Sequence, residues 1–285
     1  MEKLYQRGSA FLMEVPMLKA FLVNTKLGQV GMGVRDSIHL HKAAIGDLEN
    51  VGTIANDMLA RTLLERLCED GRIFVDIGAH IGSVIGGALA HSKPSRLIAI
   101  EAIPEKAEAL RKRFAKAEII ATAVSDHDSE VDFTIDLARP GYSSLNPDVR
   151  SQTSEWRVIR VKVTTPDAIL PHEGVDVMKI DVEGAELGVL RGAEALVAAS
   201  RPLIMFESGP IEMAGFPAAA LWQWFDDHDY EVVLPMRVAH TAPGMSLEMF
   251  LDAHQYPRAT TNYFGIPRER RDQVRQRARK LLGFH

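Results

Sequence analysis

Arg72-Ile73-Phe74-Val75-Asp76-Ile77-Gly78-Ala79-His80-Ile81-Gly82 is the stretch on which the fold turns. A short apolar run ends in an acid, and a glycine loop follows at once. Glycines directly after a buried strand let the backbone turn tightly and approach a ligand closely. Val84, Ile85, Ala88 and Leu89 then recur at helical spacing. Strand, glycine turn and helix make the opening unit of a doubly wound α/β domain.

The alternation continues downstream. Arg96–Glu101 is a second apolar run ending in an acid, followed by a helix marked by Ala107, Leu110 and Phe114. Glu118–Val124 reads as a third strand and Val175–Asp181 as a fourth, with Leu187, Leu190 and Val197 inward on the next helix. Pro202–Glu207 is a fifth strand. A helix with Leu221, Trp224 and Phe225 leads to Tyr230–Leu234, and Asn262–Ile266 closes the set. Strands apolar throughout and separated by helices predict a parallel sheet covered on both faces. Trp222, Trp224 and Phe225 read as core rather than as a stacking platform for bases. Between the third and fourth strands, Glu130–Asp136 and Trp156–Val163 alternate as an inserted strand pair, joined by the polar loop Ala138–Glu155. Loops of that length usually carry function, and a lid is expected here.

Upstream, a helix is expected from Thr53 to the stop at Asp70-Gly71, with Met58, Leu59, Thr62, Leu63 and Leu67 on one face. Residues 1–50, with four glycines between Gly28 and Gly46, predict irregular or hairpin structure. Ala10–Val23 is broken by Glu14, Pro16 and Lys19; it reads as strands or a lid, not a membrane span or signal peptide. The chain thus divides into an N-terminal extension (1–52), a main α/β domain (53–267) and a basic C-terminal helix (268–285).

Composition narrows the function classes. The 285 residues are 46% hydrophobic and 25% charged, with a net charge of −5. A general nucleic-acid binder is usually basic, so nucleic acid is not an expected partner. The run Arg268–Lys280 is locally basic, and a solvated helix face is its default reading. The single cysteine, Cys68, excludes an intramolecular disulfide and a Cys-rich zinc site, and fits a reducing cytoplasm. His39 and His41 would share one face of a strand, but a pair alone is not a metal site.

The acids identify the ligand class. A nicotinamide dinucleotide site reads G-x-G-x-x-G, with a pyrophosphate at the helix N-terminus. Here the pattern is D-x-G-x-x-x-G, from Asp76 through Gly78 to Gly82. Asp76 would repel a pyrophosphate but suits a cofactor with an ammonium group and no phosphate, such as S-adenosylmethionine. Glu101, 25 positions after Asp76, ends the next strand where an acid accepts both ribose hydroxyls. Gly78 and Ala79 would offer backbone contacts, His80 a hydrogen bond, and the stretch Ala123–Asp126, with Ser125, the adenine end. In an open α/β sheet the crevice lies where strand order reverses, here between the first and fourth strands, so the loops after Asp76 and Asp181 should face each other. Asp181 is the first candidate for cofactor or acceptor contact. Glu207, ending the fifth strand, is the leading base, with Glu183 second; Ser143 and Ser144 are candidates for covering the cofactor or touching the acceptor. Glu186 has the bland alternative of a favourable acid in a first helical turn.

Lys179-Ile-Asp-Val-Glu-Gly-Ala-Glu-Leu187, with the downstream Leu190-Arg-Gly-Ala193, resembles the FkbM family of methyltransferases. Val75–Gly82, Glu101-Ala102-Ile-Pro104 and Tyr142-Ser-Ser-Leu145 are similar to the same family's blocks, and the resemblance runs from about Asn56 to Ile266. It implies a Rossmann-like class I methyltransferase with a mostly parallel seven-stranded sheet. It also implies S-adenosylmethionine as donor and O-methylation of a sugar, glycolipid or specialised metabolite. The family most often has Asn where this chain has His80. Asp181 and Glu207 fall where some catechol-type methyltransferases hold magnesium, yet the resemblance requires no metal and metal-free base catalysis is expected. An RNA methyltransferase using the basic tail and an inactive cofactor-binding scaffold are the competing readings.

Overall fold

The computed structural model describes residues 37–136, 156–209 and 217–284. Ala10–Val23 and the whole loop Ala138–Glu155, with Ser143 and Ser144, lie outside them.

Seven strands form one sheet in the order β3-β2-β1-β7-β8-β10-β9. They are β1 Ile73–Ile77, β2 Arg96–Glu101, β3 Glu118–Ala121, β7 Val175–Ile180, β8 Leu203–Glu207, β9 Tyr230–Val233 and β10 Asn262–Pro267. From β3 to β8 all neighbours run parallel; β10 lies antiparallel between β8 and β9. β4 Ala123–Val124, β5 Ser129–Asp136 and β6 Trp156–Thr164 make a second, three-stranded sheet. The inserted pair is therefore present, and the expected third strand divides. Its first four residues join the main sheet, and Ala123 and Val124 turn off to pair with β6.

Strand periodicity sorts the core into two layers. Val75, Ile77, Met178, Ile180, Ile204 and Phe206 pack under the helices Glu186–Arg191, Glu194–Ser200 and Ala218–Asp227. Phe74, Leu97, Val177, Leu203 and Phe264 face Val51–Leu67, Ser83–His91, Pro104–Arg113 and Arg271–Leu281. Each fully buried side chain of this size contributes about 1.5–3 kcal/mol relative to exposure. Phe206 adds a stacked contact with Phe225 at 4.5 Å between ring centroids. Trp224 and Phe225 are core residues, as read from their spacing.

Four local expectations are corrected. Residues 37–46 are helical rather than irregular, because their glycines lie upstream of this run or at its last position. His39 and His41 therefore stand two apart on a helix and do not share a face. The helix after β7 is two helices, interrupted at Gly192, where a Cβ would strike the Ser125 carbonyl oxygen. The basic tail is no simple solvated face. Arg271 is buried and donates to the carbonyls of Arg237, Val238 and His240, and Arg270 and Arg277 reach the buried Asp176.

Cys68 is buried, and that burial pushes its thiol up to about 12, so it acts as a packing residue. No helix among the described residues is long and apolar enough to cross a membrane.

Candidate active site

Parallel pairing puts Asp76 of β1 directly beside Lys179 of β7, at the carboxyl ends of the two strands where the order reverses. Lys179 sits two residues before Asp181, so both side chains emerge on one face. Its ammonium lies 3.0 Å from Asp181, 3.5 Å from Asp76, and donates to the Gly78 carbonyl at 2.9 Å. Burial alone would depress the Lys179 ammonium, but Asp181 and Asp76 outweigh it and hold its pKa above the ordinary value. Asp76 is fully buried, and desolvation raises its carboxyl despite the lysine.

The turn after β1 is built for close approach. Gly78 has φ of 81°, and a Cβ there would overlap the Asp181 carbonyl oxygen. Its glycine is thus required to bring two loops together, besides any ligand. The Gly78 and Ala79 amides both donate to the Ile100 carbonyl at 3.0 Å. His80 has φ of 49°, a left-handed conformation that His and Asn adopt more readily than most residues, which accounts for either residue at this place. Gly82, φ 79°, packs against Leu110 and Phe114.

Glu101 fastens the neighbouring turn. One carboxylate oxygen accepts the His80 amide at 2.8 Å and the other accepts the Ile103 amide at 2.9 Å. Desolvation raises its pKa against these bonds. Each oxygen keeps a second acceptor position.

These loops open onto a cavity of about 490 Å³, a size typical of small-molecule sites. Its apolar end is formed by Ile103, Ala123, Val124 and Phe133. Glu101 stands beside that end, and Asp181, Glu183 and Glu207 line the cavity as well. Each of these last three offers an oxygen within 4.8 Å of the other two. Glu183 is held at φ 51°, unusual for a non-glycine residue. Glu186 turns back to accept the Val182 and Gly184 amides at 3.1 and 3.2 Å, fixing the loop that carries it.

Crowding acids in a desolvated place shifts them apart. Desolvation, then Asp181 and Glu186, push Glu183 up to about 8. Burial pushes Glu186 up to about 7 against its backbone hydrogen bonds. Burial and the neighbouring Asp181 hold Glu207 well above the carboxylate range, and the two share a hydrogen bond. Burial would raise Asp181 too, but Lys179 and the hydrogen bond with Glu207 hold it below its ordinary value.

Of the residues singled out in the sequence, Gly78, Ala79, His80, Glu101, Ala102, Asp181, Glu183 and Glu207 line this cavity. Asp76 does not line it; it faces Lys179, which does. Gly82 packs behind the loop, and Ser125 is pressed against Gly188 and Gly192. Sequence reasoning missed Lys179, though its place opposite Asp76 and two before Asp181 follows from strand periodicity. It also missed Asp57, Arg61, Lys106 and Asn262 on the cavity wall. Asp57 and Asn262 are 205 positions apart and meet only through packing.

This sheet order, with one antiparallel strand near its edge and a site at the ends of β1, β2 and β7, is that of the Rossmann-like class I methyltransferases. The profile of the methyltransferase FkbM domain matches residues 76–232, and the chain belongs to that family. Among solved structures, it is similar to the methyltransferase FkbM from Methylobacillus flagellatus KT, at 17% identity and a TM-score of 0.45 over 69% of this chain and 44% of that one. It therefore spans less than half the length of that protein. A SAM dependent methyltransferase from Aquifex aeolicus is similar at 12% identity and a TM-score of 0.37, over 67% of this chain and 87% of the other. Magnesium protoporphyrin IX methyltransferase from Synechocystis PCC 6803, a structure with bound SAM, is similar at 12% identity and a TM-score of 0.38, over 74% and 76%. A search of curated proteins gave no significant match.

Proposed function

We propose that the chain methylates a hydroxyl oxygen of a small molecule, with S-adenosylmethionine as donor and Glu207 as base. One observation carries the reading. The cavity joins an apolar slot to a wall of carboxylates, Glu101, Asp181, Glu183 and Glu207. Such a wall, whose carboxyl groups burial holds toward the neutral form, gains its charge partner from a nucleoside that bears positive charge. When bound, that cofactor supplies an electrophilic methyl group on a sulfonium.

The residues present fit such a ligand. Ile103, Ala123, Val124 and Phe133 would enclose the adenine, and the free acceptor positions of Glu101 would take the ribose hydroxyls. Asp181 and Glu183 would face the cationic end. In the free site burial and Asp181 favour the neutral form of Glu207. A cation beside it lowers that pKa and frees an oxygen to take the acceptor's proton. Ser143 and Ser144 are assigned to the acceptor side or to covering the cofactor.

The three clustered carboxylates support a second reading, in which Asp181, Glu183 and Glu207 hold a divalent cation that polarises the hydroxyl. The hydrogen bond between Asp181 and Glu207, and Lys179 against Asp181, favour base catalysis instead. Calorimetry should show binding of S-adenosylmethionine and its demethylated product but not of NAD. In a methyl-transfer screen, Glu207→Gln should lower turnover about 100-fold or more, while a chelator leaves the unaltered chain active. Activity that vanishes on chelation and returns with magnesium selects the metal reading; absence of binding to either sulfur cofactor refutes both.

A further inference from the structure

Asp181, Glu183 and Glu207 share one wall of the cavity, each with an oxygen within 4.8 Å of the other two. Their commitments differ. Asp181 is paired with Lys179 at 3.0 Å and shares a hydrogen bond with Glu207, the base of the proposed reaction. Glu183 stands on a turn of two consecutive left-handed residues, itself at φ 51° and Gly184 at φ 93°. A glutamate rarely adopts that conformation, and it persists only where the surroundings impose it.

Here a single atom imposes it. Glu186 Oε1 accepts the Val182 amide at 3.1 Å and the Gly184 amide at 3.2 Å, from the residues on either side of Glu183. Glu186 is itself buried at the start of the helix Glu186–Arg191. The turn is thereby closed around one carboxylate, and the Glu183 carboxyl is carried into the cavity.

Methyl transfer dictates where positive charge must lie. A bond forms between the methyl carbon and the hydroxyl oxygen, the bond from that carbon to sulfur breaks and leaves a neutral thioether, and the hydroxyl proton passes to Glu207. Reacting atoms must start about 3–3.5 Å apart. The sulfur is therefore held close to the oxygen that Glu207 engages. With Asp181 given to Lys179 and Glu207 to the proton, the place beside the sulfur falls to Glu183. We infer that Glu183 distinguishes the sulfonium donor from its neutral demethylated product, with Glu186 as the positioning residue that aims it. The inference rests on the methyl-transfer reading of this cavity and deepens it: turnover removes the charge that Glu183 answers, and so loosens the spent cofactor.

Calorimetry on the full chain with S-adenosylmethionine and S-adenosylhomocysteine tests this without an acceptor. The two ligands share adenine, ribose and the amino-acid end, so the ratio of their affinities isolates the sulfur. Glu183→Gln, equal in size, should lower the ratio of S-adenosylmethionine to S-adenosylhomocysteine affinity by about fivefold or more. Glu186→Ala should lower it likewise, because the turn no longer holds Glu183 in place. Glu186→Leu, which fills the buried space without an acceptor, replaces the Ala variant if that fails to fold. Glu186→Gln keeps an oxygen for both amides and should leave the ratio within about twofold of the unaltered chain. General damage to the cavity weakens both ligands together and leaves the ratio unmoved. An unchanged ratio in Glu183→Gln therefore overturns the discrimination. An unchanged ratio on loss of the Glu186 carboxyl, or an equal fall in Glu186→Gln, overturns the positioning role. Either result leaves methyl transfer standing, whereas absence of binding to both ligands refutes that reading as well.

Discussion

The two ends of β7 carry opposite solutions to the same problem. At its amino end, Asp176 is fully buried and amply answered: Arg270 and Arg277 pair with it, and the Glu69 amide donates at 2.7 Å. At its carboxyl end, one buried lysine serves Asp76 and Asp181, with Glu183 and Glu207 close by. Among the described residues neither oxygen of Asp76 has a hydrogen bond of ordinary geometry. The first arrangement matches its acids with cations, Arg277 pairing with Glu69 as well as with Asp176, and fastens the C-terminal helix to the sheet. The second has more acid than cation and opens onto a cavity. An excess of buried acid is costly for folding and persists where a ligand supplies the missing charge.

The largest expected effect breaks the first end. Asp176→Ala removes the carboxylate that Arg270 and Arg277 share, leaving Arg270 the Arg201 carbonyl and Arg277 the Glu69 carboxylate. Removing one partner of such a buried network costs about 3–5 kcal/mol. Urea unfolding should register that loss, while the folded fraction binds S-adenosylmethionine with unchanged affinity. A loss under about 1 kcal/mol would reduce the network to the worth of a surface ion pair.

That contrast also marks what the sequence discloses. The carboxyl end was legible because its acids follow apolar strands and a glycine turn, patterns local to ten residues. Asp76, Glu101, Asp181 and Glu207 were found that way. The role of Asp76 was not, since its partner Lys179 comes from a strand about a hundred positions on. The amino end was illegible for the same reason: Arg268–Lys280 looks like any basic helix until Asp176 and Glu231 are brought against it. The sequence points Gly78 at backbone contact with a ligand, and its tightest constraint is the Asp181 backbone. Strand ends show in a sequence; pairings across the sheet do not.

A smaller effect sharpens the carboxyl end by separating its cofactor side from its acid cluster. Glu101→Ala removes the acceptor proposed for the ribose hydroxyls and frees the His80 and Ile103 amides. Affinity for S-adenosylmethionine should fall by about 1–3 kcal/mol, the range for hydrogen bonds to a charged group. Calorimetry on the variant with S-adenosylhomocysteine should show the same loss, since both ligands carry the ribose. An unchanged affinity for both would remove Glu101 from the cofactor site.

The smallest effect concerns proton linkage at the acid cluster. Glu183 is pushed up to about 8 by burial, then by Asp181 and Glu186, from an ordinary value of 4.5. Between those two values the unfolded chain has lost this proton and the folded chain keeps it. The folded state then binds more protons, so this group's contribution makes stability fall as pH rises through the window. Glu183→Gln cannot ionise and loses that slope. Its melting temperature relative to the unaltered chain should therefore climb from pH 5 to pH 8 and level off above it. The gain is expected to reach about 2–6 °C, the shift that one or two kcal/mol produces in a domain of this size. Saturating S-adenosylmethionine should shrink the difference, because a bound cation favours the ionised carboxyl in the unaltered chain and has nothing to ionise in the variant. Melting curves of the two proteins that stay parallel from pH 5 to pH 8 would place the proton elsewhere in the cluster, on Glu186 or on the pair formed by Asp181 and Glu207.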